Sequence, residues 1–161
     1  MEKELVIVKE ISSPVGQLCI RASSTALISI SWGSQGESET STDMSNEIIE
    51  SAINQLKEYF EGKRSTFDIP VRLTGSPFQI SVWQTLQGIP FAMTTNYAHV
   101  AKKSGNETAV RAVGSAIGKN PLPIIIPCHR VIGSDGSLRG FAGGLDRKKI
   151  LLSLEAQYQK Q

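Results

Sequence analysis

Cys128 and His129 stand side by side in "IIIPCHRVIG" (124 to 133), at the end of a run of three isoleucines. A thiol beside an imidazole is the smallest arrangement that can make a sulfur nucleophile. The thiol attacks as thiolate, and an ordinary cysteine, with a pKa of about 8.5, needs a base or a cation close by to ionise at neutral pH. His129 is that base by position. If residues 128 and 129 are extended, their side chains point to opposite sides, so contact between them needs a turn or a bridging water. Glu155 offers a third member. It lies four residues after Leu151, beside the apolar stripe of a C-terminal helix, where a carboxylate needs a partner and an imidazole N–H can serve. Thiol, base and orienting acid would then form an activated-nucleophile chain. The spacing alone leaves an exposed helix-end charge equally open for Glu155, and inert packing open for Cys128. Arg130 reads as one half of a structural ion pair, and Cys19, inside an alternating strand, as core.

These residues need a scaffold, and the pattern predicts an α+β one. "ELVIVKEI" (4 to 11), "GQLCIRAS" (16 to 23) and "ALISISW" (26 to 32) read as a small antiparallel meander with a turn at "SSPVG", followed by a polar Gly/Ser-rich loop over 33–45. Ile49, Ala52, Ile53, Leu56 and Phe60 recur at helical spacing, with Gly62 just past the end as a left-handed cap. Residues 65–74 look extended and Pro-interrupted, a linker between an N-terminal subdomain (1–70) and a C-terminal one (71–161).

The second part is mostly helical. Ser76, Pro77 and Gln79 spell a capping box for a helix that buries Phe78, Val82, Trp83 and Leu86. Residues 96–120 read as a short helix, a Gly105-Asn106 turn and a second helix from Glu107 to about Ile117 capped by Asn106, a helix-turn-helix candidate. Ala109, Ala112, Gly114, Ser115 and Ala116 leave that second helix nearly bald, with Arg111 its one long side chain. "PLPIIIP" (121 to 127) reads as a short buried strand or extended segment. A Gly-rich loop (133 to 146) then leads to a last helix, capped by Asp146, with a stripe of Ile150, Leu151, Leu154 and Tyr158.

Composition narrows the class. With 161 residues, 40% of them apolar, the chain can bury a core as one ordinary domain or two small ones. No segment resembles a leader or a bilayer span, so the expectation is a cytoplasmic protein without membrane contact. Two cysteines and two histidines make neither a disulfide framework nor a zinc spacing, so no metal and no cofactor is expected. The net charge of +2 hides an asymmetry: residues 1–96 hold 7 Lys+Arg against 11 Asp+Glu, whereas 97–161 hold 10 against 4. The basic half is where a polyanion would be sought, with chance patterning on a solvated surface equally open on charge alone.

"PCHRV", preceded by "GKNPLPIII" and followed by "GFAGGLDRKKILLSLE", resembles the O6-alkylguanine-DNA alkyltransferases, and "QLKEYFEGK", "PFQISVWQTLQGIP" and "YAHVAKKSGNETAVRAVGSAIGKN" extend the resemblance over nearly the whole chain. It implies a ribonuclease H-like N-terminal sheet and helix, then a helical domain with a winged-helix-like helix-turn-helix. It implies irreversible transfer of an alkyl group from O6 of a flipped-out guanine in double-stranded DNA to Cys128, leaving O4-alkylthymine open as a further substrate. His129 would deprotonate Cys128 through water with Glu155 orienting it. Asn120 matches the hinge asparagine, and Tyr97 the tyrosine that donates a proton toward the departing guanine. Arg111 matches the arginine that fills the emptied stack, while Ala112, Gly114 and Ser115 would meet a minor groove about 6 Å wide that excludes bulk. Ile117, Val131, Phe141 and Ala142 match the walls of the guanine pocket, and the family implies a monomer. Three positions depart from the pattern: Ala92, where Gly is usual; Asn96, where Ser or Thr precedes the tyrosine; and Ala142, where some relatives carry a hydroxyl.

Two other classes compete. An alkyltransferase-like module that flags lesions without repairing them would lack the nucleophilic cysteine, which Cys128 argues against. A Cys-His-Glu hydrolase would leave the helix-turn-helix and the basic half unexplained.

Overall fold

The computed structural model describes residues 4–33, 45–138 and 140–159, so the expected loop over 33–45 lies almost wholly outside them. The chain forms two compact units, 1–73 and 74–161.

In the first unit, β1 (Ile7–Ile11), β2 (Leu18–Ala22) and β3 (Leu27–Trp32) make an antiparallel sheet in the order β1-β2-β3, with Lys9 opposite Ile20 and Leu18 opposite Trp32. The middle strand is buried on successive residues, Leu18, Cys19 and Ile20, rather than alternately. Helix α1 (Glu47–Phe60) packs on this sheet through Ile49, Ala52, Ile53 and Leu56. Asn46 caps it by accepting from the Ile49 N–H, and Gly62, at φ +78°, ends it as its position predicts. Gln55 and Tyr59, on the same face, are buried too; Gln55 holds the backbone of Asp68 through both ends of its amide. The segment expected as a linker is partly held in this unit, because Leu27 bonds to Pro70 and Arg72 on either side.

The second unit carries α2 (Pro77–Gln87), β4 (Thr95–Asn96), α3 (Tyr97–Lys103), α4 (Val110–Gly118), a 3-10 turn (Cys128–Arg130), β5 (Val131–Ile132) and α5 (Leu145–Gln159). The capping box at Ser76 and Gln79 is complete, and Gly75 beneath it is obligatory: a Cβ there would stand 2.8 Å from both Gln79 Oε1 and the Trp83 ring. Trp83 is buried and donates its indole N–H to Ala116 O at 2.8 Å, fastening α2 to α4. The two short strands pair in parallel, Thr95 with Val131 and Asn96 with Ile132, and so set the start of α3 beside the end of the 3-10 turn.

Four local expectations need correction. Helix α4 begins at Val110, not Glu107: residues 106–109 form a turn closed by the Ala109 N–H onto Asn106 O, Ala109 is the N-cap without a side-chain cap bond, and the Asn106 Nδ2 donates back to Ser104. "PLPIIIP" is not a strand. Ile126 N–H closes onto Leu122 O, Ile124 takes φ +77°, and the prolines at 121, 123 and 127 remove the donors that a ladder would use. Asp146 lies inside the first turn of α5, where its charge suits the helix dipole, and does not cap it. On α5, Ile150 is 39% exposed, and the buried face is Lys148, Leu151 and Glu155. Among the described residues no helix is long and apolar enough to cross a membrane.

Candidate active site

Pro127 ends the Pro-bracketed loop, and the next three residues turn instead of running extended. Cys128 N–H donates to Ile126 O, Arg130 N–H to Pro127 O, and Val131 N–H to Cys128 O. This 3-10 turn removes the objection that neighbouring side chains must face opposite ways. It also buries all three residues, with Cys128 6%, His129 0% and Arg130 5% exposed.

Helix α5 packs on the turn and delivers Glu155, 1% exposed. His129 Nε2 lies 2.6 Å from Glu155 Oε2, while Arg130 donates from Nε to Oε1 at 2.9 Å and from its terminal nitrogen to Oε2 at 3.0 Å. Ala92 N–H adds a bond to Oε1 at 3.0 Å, and Arg130 donates its other terminal N–H to Ile89 O at 2.7 Å. Arg130 is thus the structural ion-pair partner expected of it, and Glu155 is a buried acceptor, not a helix-end charge. Because the arginine donates to both its oxygens, Glu155 serves as acceptor, His129 Nε2 donates, and Nδ1 carries the lone pair. That Nδ1 is buried and makes no hydrogen bond to protein. Burial also pulls the imidazole below its usual pKa, against the opposing pull of Glu155, so it rests neutral with a free acceptor.

Asn120 supports the other side of the thiol. Its Nδ2 donates to Ile126 O at 2.8 Å and its Oδ1 accepts from Leu122 N–H at 2.9 Å, which locks the loop that presents Cys128. Burial pushes the Cys128 thiol up to about 11, although hydrogen bonds from Asn120 and from the Cys128 and His129 amides, together with the charge of Lys148, pull it down. Lys148 carried no signal in the apolar periodicity. The signal that finds it is the spacing 148-151-155, which puts it on the face of α5 that holds Glu155.

The remaining candidates form a second group. Tyr97 opens α3, and its hydroxyl donates to Gly140 O at 3.5 Å, on the Gly-rich loop. Asn96 caps α3 by accepting from His99 N–H, so the departure from Ser or Thr keeps the same capping function. On α4, Arg111, Ala112 and Ser115 are exposed, whereas Gly114 is half-buried, and a Cβ there would sit 3.8 Å from the Tyr97 ring. Ile117 and Val131 are buried, Phe141 is half-buried and Ala142 exposed. The structure therefore gathers Cys128, Asn120, His129 and Glu155 into one bonded cluster, brings Tyr97 to its edge through the Val131 pairing, and leaves Arg111, Ala112 and Ser115 on a separate helix surface.

The 6-O-methylguanine DNA methyltransferase family matches in both of its parts: its DNA binding domain over residues 77–157 and its ribonuclease-like domain over 6–73. The chain belongs to this family. A methylated-DNA–protein-cysteine methyltransferase of Mycolicibacterium paratuberculosis is 41% identical over 152 residues, 93% of this chain and 92% of that protein. The crystal structure of the Mycobacterium tuberculosis O6-methylguanine methyltransferase superposes with a TM-score of 0.84 at 38% identity, covering 96% of this chain and 94% of that one. The crystal structure of M. tuberculosis OGT in complex with DNA superposes with a TM-score of 0.82 at 38% identity, over 94% of this chain and 93% of that one. The ribonuclease-like domain of the family falls on the three-stranded sheet and α1, and its DNA binding domain on the helices that carry the cysteine cluster and α4.

Proposed function

We propose that this methyltransferase repairs DNA by taking the alkyl group from O6 of a flipped-out guanine onto Sγ of Cys128. The observation that carries the reading is the buried His129–Glu155–Arg130 cluster on the turn that holds the thiol. The thiol proton passes through a water to His129 Nδ1, whose lone pair is set free by the Nε2 bond to Glu155. The sulfur then attacks the alkyl carbon in line with the C–O bond: a C–S bond forms, the C–O bond breaks, and the guanine leaves with the electron pair. Tyr97 supplies a proton toward that base, and Asn120 holds the loop in register during the attack. A thioether has no low-cost leaving path, so each molecule reacts once.

For DNA, α4 enters the minor groove of the duplex, where Ala112, Gly114 and Ser115 permit close approach and Arg111 occupies the space left by the flipped base. Extrusion costs a few kcal/mol of stacking and pairing, part of which Arg111 offsets. Ile117, Val131, Phe141 and Ala142 wall the pocket for the guanine, and the chain works as a monomer without metal or cofactor.

Cys128→Ser tests the acceptor. Duplex DNA carrying labelled O6-methylguanine should lose its label to the wild type and keep it in the presence of the folded variant. Transfer to Cys128→Ser at the wild-type rate would sink the assignment.

A further inference from the structure

A cavity of about 460 Å³ opens within the second unit, between the end of α2, the segment that follows it and α3. That volume lies in the range that holds small organic ligands. Its walls divide by chemistry. Ile89, Pro90, Met93 and Val100 make it partly apolar, and Met93 stands 51% exposed although methionine is among the residues most often covered. His99 and Lys103 stand one helical turn apart on α3 and bring an imidazole and an ammonium to the same wall. Gln84, Thr94 and Thr95 add an amide and two hydroxyls. Neither His99 nor Lys103 spends its side chain on another described residue, and no Asp or Glu lines the cavity.

The composition of the walls selects the ligand. A cation and several donors without a carboxylate favour an anion and disfavour an amine or a metal ion. No Phe, Tyr or Trp lines the cavity, so it offers no platform on which a nucleobase would stack. The apolar remainder suits a ligand whose charged end is carried on an apolar body. Helix α3 also sets the cavity apart from the alkyl-transfer group. Tyr97 falls on the side of α3 that meets α4, near Gly114, whereas His99 and Lys103, two and six residues on, fall on the other.

The cavity nonetheless shares a wall with the cysteine cluster. Between the lining residues Pro90 and Met93, Phe91 lies under the Arg130 guanidinium, 5.7 Å from its ring centroid, and Ala92 N–H donates to Glu155. Ile89 O accepts from Arg130, and Thr95 pairs with Val131. One side of residues 89–95 thus lines the cavity while the other holds Arg130 and Glu155.

We propose that this cavity is a binding site for a small organic anion, a carboxylate on an apolar body, held by Lys103 and His99 and seated against the segment that holds Arg130 and Glu155. The site goes beyond alkyl transfer and does not depend on which sulfur accepts the alkyl group.

The probe is 2-naphthoate, titrated into the full chain and followed by NMR of the backbone amides, with 2-naphthalenemethanol as its neutral counterpart and inorganic phosphate as the bare anion. 2-Naphthoate should bind saturably and shift the amides of Thr94, Thr95, His99 and Lys103 and, through the shared segment, Ala92, while the amides of β1 to β3 stay in place. The neutral alcohol should bind several-fold more weakly. Lys103→Glu, at an exposed position where thermal denaturation confirms the fold, should weaken 2-naphthoate about tenfold, and Lys103→Arg should keep it. Absence of saturation below about 10 mM would overturn the proposal. So would shifts that map elsewhere, equal affinity for the alcohol, or unchanged affinity in Lys103→Glu. Displacement of bound 2-naphthoate by unmodified duplex DNA, or phosphate binding as tightly as 2-naphthoate, would assign the cationic wall to a phosphate backbone and overturn it as well. Should Lys103→Glu fail to fold, the comparison of 2-naphthoate with the alcohol in the wild type decides.

Discussion

The 3-10 turn with α5 and the exposed face of α4 belong to the same unit, yet they solve opposite problems. Around Cys128 the protein spends long, charged side chains on one another: Glu155, Arg130, His129 and Lys148 are all buried, and nearly every polar atom is bonded. Along α4 it removes side chains, so that Ala112, Gly114 and Ser115 leave backbone close to the surface and Arg111 stands alone. Chemistry at a sulfur needs groups held to fractions of an ångström by partners distant in sequence. Close approach to another molecule's surface needs their absence. Damage to the first region should therefore cost both stability and rate, and damage to the second should cost rate alone.

Glu155→Gln probes the first region hardest. It leaves Arg130 without its buried counter-charge, which should cost about 3–5 kcal/mol in urea unfolding. It also unfastens His129, so single-turnover methyl transfer should fall by about 10²-fold and its pH profile should move upward. Loss of stability with an intact rate would detach Glu155 from the mechanism.

On the other surface, Arg111→Ala should slow repair of duplex DNA roughly tenfold, since some of the few kcal/mol needed for flipping is no longer offset. Its unfolding free energy should stay within about 0.5 kcal/mol of wild type, as befits an exposed position. A variant that unfolds easily, or that repairs duplex DNA at full speed, would erase the contrast between the two regions.

The pH dependence of stability sharpens it further. Burial holds His129 below its ordinary pKa of 6.5, so the fold favours the neutral ring and the unfolded chain binds the proton more readily. Stability from this group is complete above about pH 6.5 and declines as pH falls below it, by at most about 1.4 kcal/mol per pH unit. Urea midpoints from neutral to mildly acidic pH read this directly, and His129→Gln, if folded, should flatten the slope.

The smallest effect concerns the loop that bonds Glu155. Ala92 adopts φ +64°, a left-handed conformation that costs a residue with a Cβ, and it does so while its N–H donates to Oε1. Ala92→Gly should raise stability by about 0.5–1 kcal/mol at unchanged methyl-transfer rate.

The contrast also sorts what could be read from the sequence. Elements fixed by near neighbours were legible: the capping box at Ser76 and Gln79, the left-handed Gly62, the three strands, the bald helix and the Cys-His motif. Elements fixed by distant partners were not. Lys148 looks like one more basic residue in "DRKKILL" until α5 packs on the turn, and Ile150 looks like core until the same packing turns it outward. The isoleucine run reads as a strand because β-branched residues favour one, but prolines on both sides and the Leu122–Ile126 closure force a loop. Asn106 has the right chemistry for a cap, but a turn closed by Ala109 N–H onto Asn106 O stands between it and the helix. The role of Glu155 was evenly balanced on spacing alone, and three partners from two other segments resolve it.

The central claim is that the buried thiol of Cys128, rather than the core thiol of Cys19, is the sulfur this fold was built to activate. Peptide-resolved mass spectrometry after incubation with duplex DNA containing O6-methylguanine tests it most directly. The account predicts one methyl mass per chain on the peptide containing Cys128, in proportion to the lesions consumed, and none on the peptide containing Cys19. Lesions that disappear while Cys128 stays unmodified, or a methyl group found on Cys19, would contradict it.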